Sequence, residues 1–432
     1  TMPRFLYSLL FTLLMPFIVV RMILRARKAP EYTQRWWQRF GFFTKPKPAE
    51  NGPAIEQGIW FHTVSMGEFI AAAPLIEQTM KANPNCLMTI TTTTPTGSAQ
   101  VQKHFAKELA DGRVFHVYLP YDLPWLLHGF LNKIKPSLLI ILETELWPNL
   151  IHCSKRAGAK VMVVNARLSE KSAKGYEKVS GLAKSMLLQL DMLAVQNKND
   201  AQRFLALGMP EKNMSVTGSI KFDLSIDESL LEKGQAWRKS WGADRKVICL
   251  ASTHVGEDQI GLDAFKQVRE ADENALLIIV PRHPERFDAV AKLIHSQGFN
   301  MARRSEHKLG PSTQVLLVDS MGELMQFLAA SDVCIMGGSF VANGAHNPLE
   351  PAALSVPILI GESQFNFALI CEQLESAGGL KTVTEINLAS NAIKWLSDET
   401  LRKEKGAAAK HVVEENRGAK QKVFELIRGQ LS

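Results

Sequence analysis

Apolar residues in this chain fall in short unbroken runs rather than in polar–apolar alternation. Ile59–His62, Leu87–Thr91, Val114–Tyr118, Leu138–Leu142, Val161–Val164 and Leu193–Gln196 are each four or five residues long. Continuous apolar runs predict strands buried on both faces, as in a parallel sheet covered by helices. Between them lie helix-length segments such as Phe69–Lys81, Ser98–Leu109 and Asp200–Leu207. The rhythm pauses over the polar stretch Gly218–Lys233. It restarts with Val247–Leu250, Leu276–Val280, Val315–Val318, Val333–Met336 and Ile358–Ile360. Two consecutive β/α series predict an α/β protein of two Rossmann-like, doubly wound domains. In that architecture the ligand belongs at the carboxyl ends of the strands, in the cleft between the domains. The last segment, Leu401–Ile427, reads as a helix that packs back across the interface.

The N-terminus breaks this pattern. Phe5–Val20 is apolar apart from Tyr7, Ser8 and Thr12, with one interruption at Pro16. A full membrane span needs roughly 20 apolar residues, and this run falls just short. Eight basic residues and one acidic residue, Glu31, follow between Arg21 and Lys47. That cluster places the following chain in the cytosol by the positive-inside rule and suits anionic headgroups. Trp36, Trp37, Phe40, Phe42 and Phe43 read as interfacial aromatics. No small-residue cleavage site precedes the basic cluster, so a cleaved signal peptide is not expected. The plainer alternative is a buried core helix followed by a basic loop.

Length and charge narrow the class. At 432 residues, 46% hydrophobic and 22% charged, the chain suits two folded domains. The net charge of +7 is concentrated behind the apolar run, which argues against nucleic acid as a partner. Five scattered cysteines with no C-x-x-C pair give no support to a disulfide framework or zinc knot and suit a reducing compartment.

Candidate chemistry sits where strands are predicted to end. In Trp60-Phe61-His62-Thr63-Val64-Ser65-Met66-Gly67-Glu68 a strand runs through a small-residue turn into a helix start. A carboxylate there is stabilised by the helix dipole and suits a general base; a capping role fits equally well. Glu143 and Glu145, in Leu142-Glu143-Thr144-Glu145-Leu146-Trp147-Pro148-Asn149, fit substrate binding, a proton-transfer network or helix capping. Lys221, in Gly218-Ser219-Ile220-Lys221-Phe222-Asp223, is either a cation for a leaving phosphate or a solvated surface lysine. Arg282 and His283 follow a strand in Pro281-Arg282-His283-Pro284-Glu285-Arg286-Phe287, and Ser320-Met321-Gly322-Glu323-Leu324 opens a helix. The small residues and amides of Gly337-Gly338-Ser339-Phe340 are expected to cradle phosphate, and Glu350, in Asn347-Pro348-Leu349-Glu350-Pro351, suits a pair of ribose hydroxyls. No Walker A sequence, no Rossmann G-x-G-x-x-G after the first strand and no His-Glu-x-x-His occur, which argues against an NTPase, a dehydrogenase or a zincin. Without an Asp-x-Asp clamp, no metal and no cofactor are expected.

These motifs together resemble one family. His-Thr-Val-Ser-Met-Gly-Glu (62–68), Glu-Thr-Glu-Leu-Trp-Pro-Asn (143–149), Asn-Ala-Arg-Leu-Ser (165–169), Gly-Ser-Ile-Lys-Phe-Asp (218–223), Pro-Arg-His-Pro-Glu-Arg-Phe (281–287) and Asn-Pro-Leu-Glu-Pro (347–351) are similar to the 3-deoxy-D-manno-octulosonic acid (Kdo) transferases. The resemblance covers essentially the whole chain. It implies a GT-B fold, a CMP-Kdo donor, lipid IVA or its Kdo-bearing product as acceptor, and inversion at the anomeric carbon. It implies Glu68 as general base, with Glu143 and Lys221 assisting the transition state. Pro281 and Arg282, Met321, Gly322 and Glu323, and Asn347, Pro348, Leu349 and Glu350 are implied as the CMP site. Ala345 stands where glycine is usual. The implied organisation is an anchor over 1–28, a basic and aromatic interfacial segment with spacer over 29–57, and an acceptor domain over 58–217. A linker over 218–233, a CMP-sugar domain over 234–400 and a C-terminal helix over 401–432 follow. The expected location is the cytoplasmic face of the inner membrane. Competing readings are another nucleotide-sugar enzyme of this architecture, such as a 2-epimerase, or a membrane-anchored nucleotide-sugar binding protein without turnover.

Overall fold

A computed structural model describes residues 4–27, 30–44, 57–224, 226–306 and 309–432. The spacer expected over Lys45–Gly58 lies outside the described residues but for its last two, as do the anchor boundary residues Lys28 and Ala29. The chain divides into two compact units, Thr1–Lys221 with Gly418–Ser432, and Phe222–Arg417.

The first unit holds β1 (Gln57–His62), β2 (Cys86–Thr92), β3 (Val114–Tyr118), β4 (Pro136–Leu142), β5 (Lys160–Ala166), β6 (Met192–Val195) and β7 (Met214–Val216). They form one sheet in the order β3-β2-β1-β4-β5-β6-β7, every pairing parallel. The second unit holds β8 (Val247–Thr253), β9 (Leu276–Pro281), β10 (Met301–Arg303), β11 (Val315–Leu317), β12 (Val333–Met336), β13 (Ile358–Ile360) and β14 (Leu380–Thr382). Its order is β10-β11-β9-β8-β12-β13-β14, again all parallel.

Successive strand residues point to opposite faces, and here both faces are covered. Leu139 and Ile141 of β4 enter one core with Trp60, Val161 and Val163. Leu138, Ile140 and Leu142 enter the other with Ile59, Phe61 and Phe69. In the second unit Cys249 and Ala251 pack on one side, Ile248 and Leu250 on the other. The unbroken apolar runs follow from this double burial. All eleven predicted strands are present. β7, β10 and β14 were not predicted, being three-residue strands of which β7 and β14 each close one edge of a sheet and β10 another.

The stretch read as a linker carries two anchors: Ile220 enters the first unit's core and Phe222 the second's. The C-terminal segment is two helices rather than one. Glu399–Glu415 belongs to the second unit and Ala419–Leu431 to the first, where Val423 and Ile427 are buried. Gly418, at φ 78°, makes the break in the left-handed conformation that glycine adopts without strain.

The apolar N-terminus is a helix, Arg4–Ala26, long and apolar enough to cross a membrane. Its apolar side chains stay exposed, Phe5 at 77% and Phe17 at 72%, so it is not a buried core helix. Its start is fixed by Arg4, which donates to Asn149 Oδ1 (3.1 Å), and by Ser8, which hydrogen-bonds the same side chain; near its end the Tyr121 hydroxyl donates to Met22 Sδ at 3.7 Å. The aromatic segment behind it divides in two. Trp37 and Phe42 are exposed, whereas Phe43 packs on Phe115 and Phe130, and Phe40 on Trp36 and Tyr121. Arg39, counted in the basic cluster, is 8% exposed. It lies over the Tyr118 ring and donates to Thr93 O at 2.7 Å. It serves the fold, not a headgroup.

Candidate functional site

In the first unit the expected residues converge at the carboxyl ends of β1, β4 and β5. Ser65 caps the helix Met66–Ala82. Glu68, in its first turn, accepts the Val64 N–H at 2.8 Å and the Ser65 hydroxyl at 3.1 Å. Val64 is itself held, its carbonyl accepting from Thr93 N, Thr93 Oγ1 and Thr94 Oγ1. Glu68 is therefore a cap, and more than a cap. Burial pushes its carboxyl up to about 7; the Val64 amide opposes this, and the charges of Glu143 and Glu145 add to it. The helix dipole does not keep it fully ionised, as the sequence suggests, because desolvation outweighs the dipole and its donors.

Glu143 follows β4 with φ 57°, a left-handed conformation that costs a non-glycine residue about 1–2 kcal/mol. Its N–H donates to Val164 O at 2.9 Å, and its carboxylate is ion-paired with Lys221. Asn165, also left-handed at φ 56°, sits at an irregularity in the β5–β6 pairing. Its side chain accepts the Ile220 N–H at 3.0 Å and so sets the register of Lys221. Glu145 accepts from Trp147 Nε1 at 2.9 Å, and burial raises its carboxyl. Thr144 ties this loop to the next through hydrogen bonds with the Arg167 backbone. A recess of about 260 Å³ opens beside them, lined by Glu143, Thr144, Glu145, Arg167, Ser169 and Ser172. Arg167, Ser169 and Ser172 have no role in the sequence reading, although Arg167 and Ser169 lie within the motif 165–169.

The second unit places its expected residues at the carboxyl ends of β11, β9 and β12, strands of one sheet. Arg282 follows β9, its N–H donating to Thr253 O at 3.0 Å and its side chain exposed. Glu350 lies close enough for the Arg282 charge to act on it; burial raises its carboxyl and Arg282 lowers it. Asn347 Oδ1 accepts the Leu349 N–H at 3.1 Å, starting the short helix Leu349–Ala353; Pro348 and Leu349 are buried. Glu323 is engaged with Arg304, Ser320 and Gln326, beside the exposed Met321 and the left-handed Gly322.

One expectation is corrected. The amides of Gly338, Ser339 and Phe340 are not open to phosphate: they donate to the Glu257 carboxylate at 2.8, 3.1 and 3.0 Å. Glu257 is 1% exposed and also accepts the His254 N–H at 2.9 Å. The carboxylate fills the anion site that the loop creates. Gly337 is required for close approach, since an added Cβ would meet the Ala251 and Ser252 carbonyl oxygens. Ala345 has φ 66°, which accounts for glycine being usual there. Among the described residues no group of three His, Cys, Asp or Glu side chains is placed to hold a metal ion.

Comparison with known proteins agrees with the motifs. The family model described as 3-deoxy-D-manno-octulosonic-acid transferase (kdotransferase) matches residues 34–224. The 3-deoxy-D-manno-octulosonic acid transferase of Haemophilus influenzae is 40% identical over 98% of both chains, and that of Bordetella pertussis is 32% identical over 99% of both. The C-terminal CMP-Kdo binding domain of WaaA from Acinetobacter baumannii is 32% identical, covering 44% of this chain and 100% of that one with a TM-score of 0.42. UDP-GlcNAc 2-epimerase from Neisseria meningitidis is 14% identical, covering 86% and 100% with a TM-score of 0.47. With two Rossmann-like sheets, the motif residues at their strand ends, and 40% identity along nearly its whole length, the chain belongs to the Kdo transferases of lipopolysaccharide synthesis, which are glycosyltransferases.

Proposed function

We propose that this chain moves Kdo from CMP-Kdo to lipid IVA or to its Kdo-bearing product, with inversion, without a divalent metal, at the cytoplasmic face of the inner membrane. The observation that carries the reading is the Glu68 carboxyl, held by Val64 and Ser65 and raised to about 7. A base works best when its pKa lies near the operating pH. Glu68 takes the proton from the acceptor hydroxyl as that oxygen bonds to the anomeric carbon. The carbon–oxygen bond to phosphate breaks, and its electron pair leaves with CMP. Lys221 neutralises Glu143, which limits the negative charge around Glu68. Arg282 supplies positive charge for the nucleotide, and Glu350 suits its ribose hydroxyls. These cationic groups support transfer without a metal. The exposed apolar helix Arg4–Ala26 supports membrane attachment, and domain roles of acceptor binding for the first unit and CMP binding for the second follow from the same assignment.

The test is product analysis by mass spectrometry with CMP-Kdo and lipid IVA in excess EDTA. A Kdo-bearing lipid, with CMP released only when acceptor is present, is expected. CMP release without acceptor, or no product until Mg²⁺ or Mn²⁺ is added, contradicts the reading.

A further inference from the structure

The loop expected to cradle phosphate is filled by Glu257, so the donor's phosphate needs other partners. Two histidines outside every expected site answer to that need. His254 follows β8 and His346 lies beyond β12, the strand paired beside it. Their Nε2 atoms are 2.8 Å apart. The ring planes differ by 1° and the centroids are 5.0 Å apart. The centroid separation exceeds the nitrogen separation by about two ring radii. The rings therefore meet edge to edge in one plane, sharing one proton along a straight Nε2–H···Nε2 bond. The second imidazole must then present a lone pair.

The surroundings favour an arriving anion. His283 stands edge-on to His254 at 5.4 Å. The charges of Arg282 and His283 act on both rings, and that of Arg286 on His254. Arg286 is committed to Asp258, and the Glu257 carboxylate to four backbone amides. Arg282 has no acidic side chain within ion-pair distance among the described residues. Burial lowers both rings, His346 to about 4, with the neighbouring cations adding to it, while the Glu257 charge acts against the lowering at His254. The pair is thus neutral beside an arginine that no carboxylate contacts directly, Glu350 acting on it only at longer range.

We propose that His254 and His346 form the phosphate site of the nucleotide: the anion replaces their mutual hydrogen bond, each ring donates its Nε2–H to a phosphate oxygen, and a proton is taken up from solvent. The bond that breaks is Nε2–H···Nε2, and the bonds that form are two N–H···O bonds. The ring that presented a lone pair gains its Nε2 proton from solvent, keeps its Nδ1–H and becomes imidazolium. A nearby dianion favours the charged imidazolium, so the fraction taken up from solvent is greater than zero. The proposal rests on the second unit being the nucleotide domain.

Calorimetric titration of the full chain with CMP, in two buffers of different ionisation enthalpy at pH 7.5, tests it. At that pH the phosphate, with a second pKa near 6, is already ionised. The wild type is expected to take up a measurable fraction of a proton per CMP bound. His346→Gln is expected to weaken CMP about ten- to a hundredfold, the range for a charge-assisted hydrogen bond, and to abolish the uptake. His254→Gln, at a half-exposed position, is expected to do the same. Cytidine, lacking phosphate, binds wild type and variants alike. Equal weakening of cytidine and CMP, or unchanged CMP affinity and proton count in a variant of normal Tm, overturns the proposal. UMP and inorganic phosphate separate the two readings. Preference for UMP with the same histidine dependence defeats the CMP-Kdo donor and leaves the phosphate site standing. Absence of binding by every phosphate compound defeats the site itself.

Discussion

Lys221 closes an ion pair on the Glu143 carboxylate, and the effect reaches Glu68. The Glu143 charge is one of the influences raising the Glu68 carboxyl towards 7. Lys221→Met leaves that charge uncompensated, and a nearby like charge disfavours ionisation further. The acid limb of the pH–kcat profile is expected to move upward relative to wild type. A profile that loses height without moving assigns Lys221 to charge stabilisation alone.

Glu68→Gln keeps size and one of the two accepted hydrogen bonds but removes basicity. A positioned base contributes roughly 10²–10⁴-fold, so turnover is expected to fall at least about a hundredfold, with CMP affinity unchanged. In the wild type, activity should rise with pH and reach half its plateau near the raised value of about 7. Stability runs the other way. The folded pKa exceeds the ordinary value of 4.5, so the carboxyl's contribution is full below 4.5 and is lost as pH rises through about 7. Glu68→Gln should flatten that part of the Tm–pH curve; an unchanged curve removes burial as the cause of the shift.

Ala345→Gly is expected to stabilise the protein. Relief of a left-handed alanine returns about 1–2 kcal/mol, against roughly 0.5–1 kcal/mol for glycine's greater unfolded freedom. A net gain of about 0.5–1 kcal/mol corresponds to a Tm higher by roughly 1–4 °C for a unit of this size. A lower Tm means that the alanine methyl, buried in the second unit's core, contributes more than the strain costs.

Removing the chain up to Lys28 deletes the exposed apolar helix along with Arg4 and Ser8, which hold Asn149. Asn149 keeps its bonds to Asp122, so the first unit should stay folded. The truncated protein is expected to be more soluble and to turn over a detergent-dispersed acceptor. Complete loss of turnover in a folded truncation makes the helix part of the acceptor site.

The strands were legible because burial on both faces writes itself as an unbroken apolar run, as in Leu138–Leu142 and Leu276–Val280. β7, β10 and β14 were not, because each is a three-residue edge strand with a polar residue in it, so no apolar run marks it. Glu68, Glu143 and Lys221 were legible as chemistry at strand ends, and the first unit brings them within reach of one another. What escaped depended on partners distant in sequence. Glu257 stands 81 residues before Gly338 and claims the amides that the loop sequence taken alone offers to a phosphate. His254 and His346 are separated by 92 residues, and no local pattern marks either one. The raised Glu68 carboxyl is likewise a property of burial, which the helix-start motif does not encode.

The tie from Arg39 to Thr93, and from Thr93 to Val64, links the segment behind the apolar helix to the backbone that holds Glu68. Held in a bilayer, such a chain meets its lipid by lateral diffusion, and its search is two-dimensional. The relevant concentration is then the acceptor's mole fraction in the leaflet, not its amount per litre. Diluting vesicles in buffer should leave the initial rate per enzyme unchanged, while diluting the acceptor with inert phospholipid lowers it in proportion.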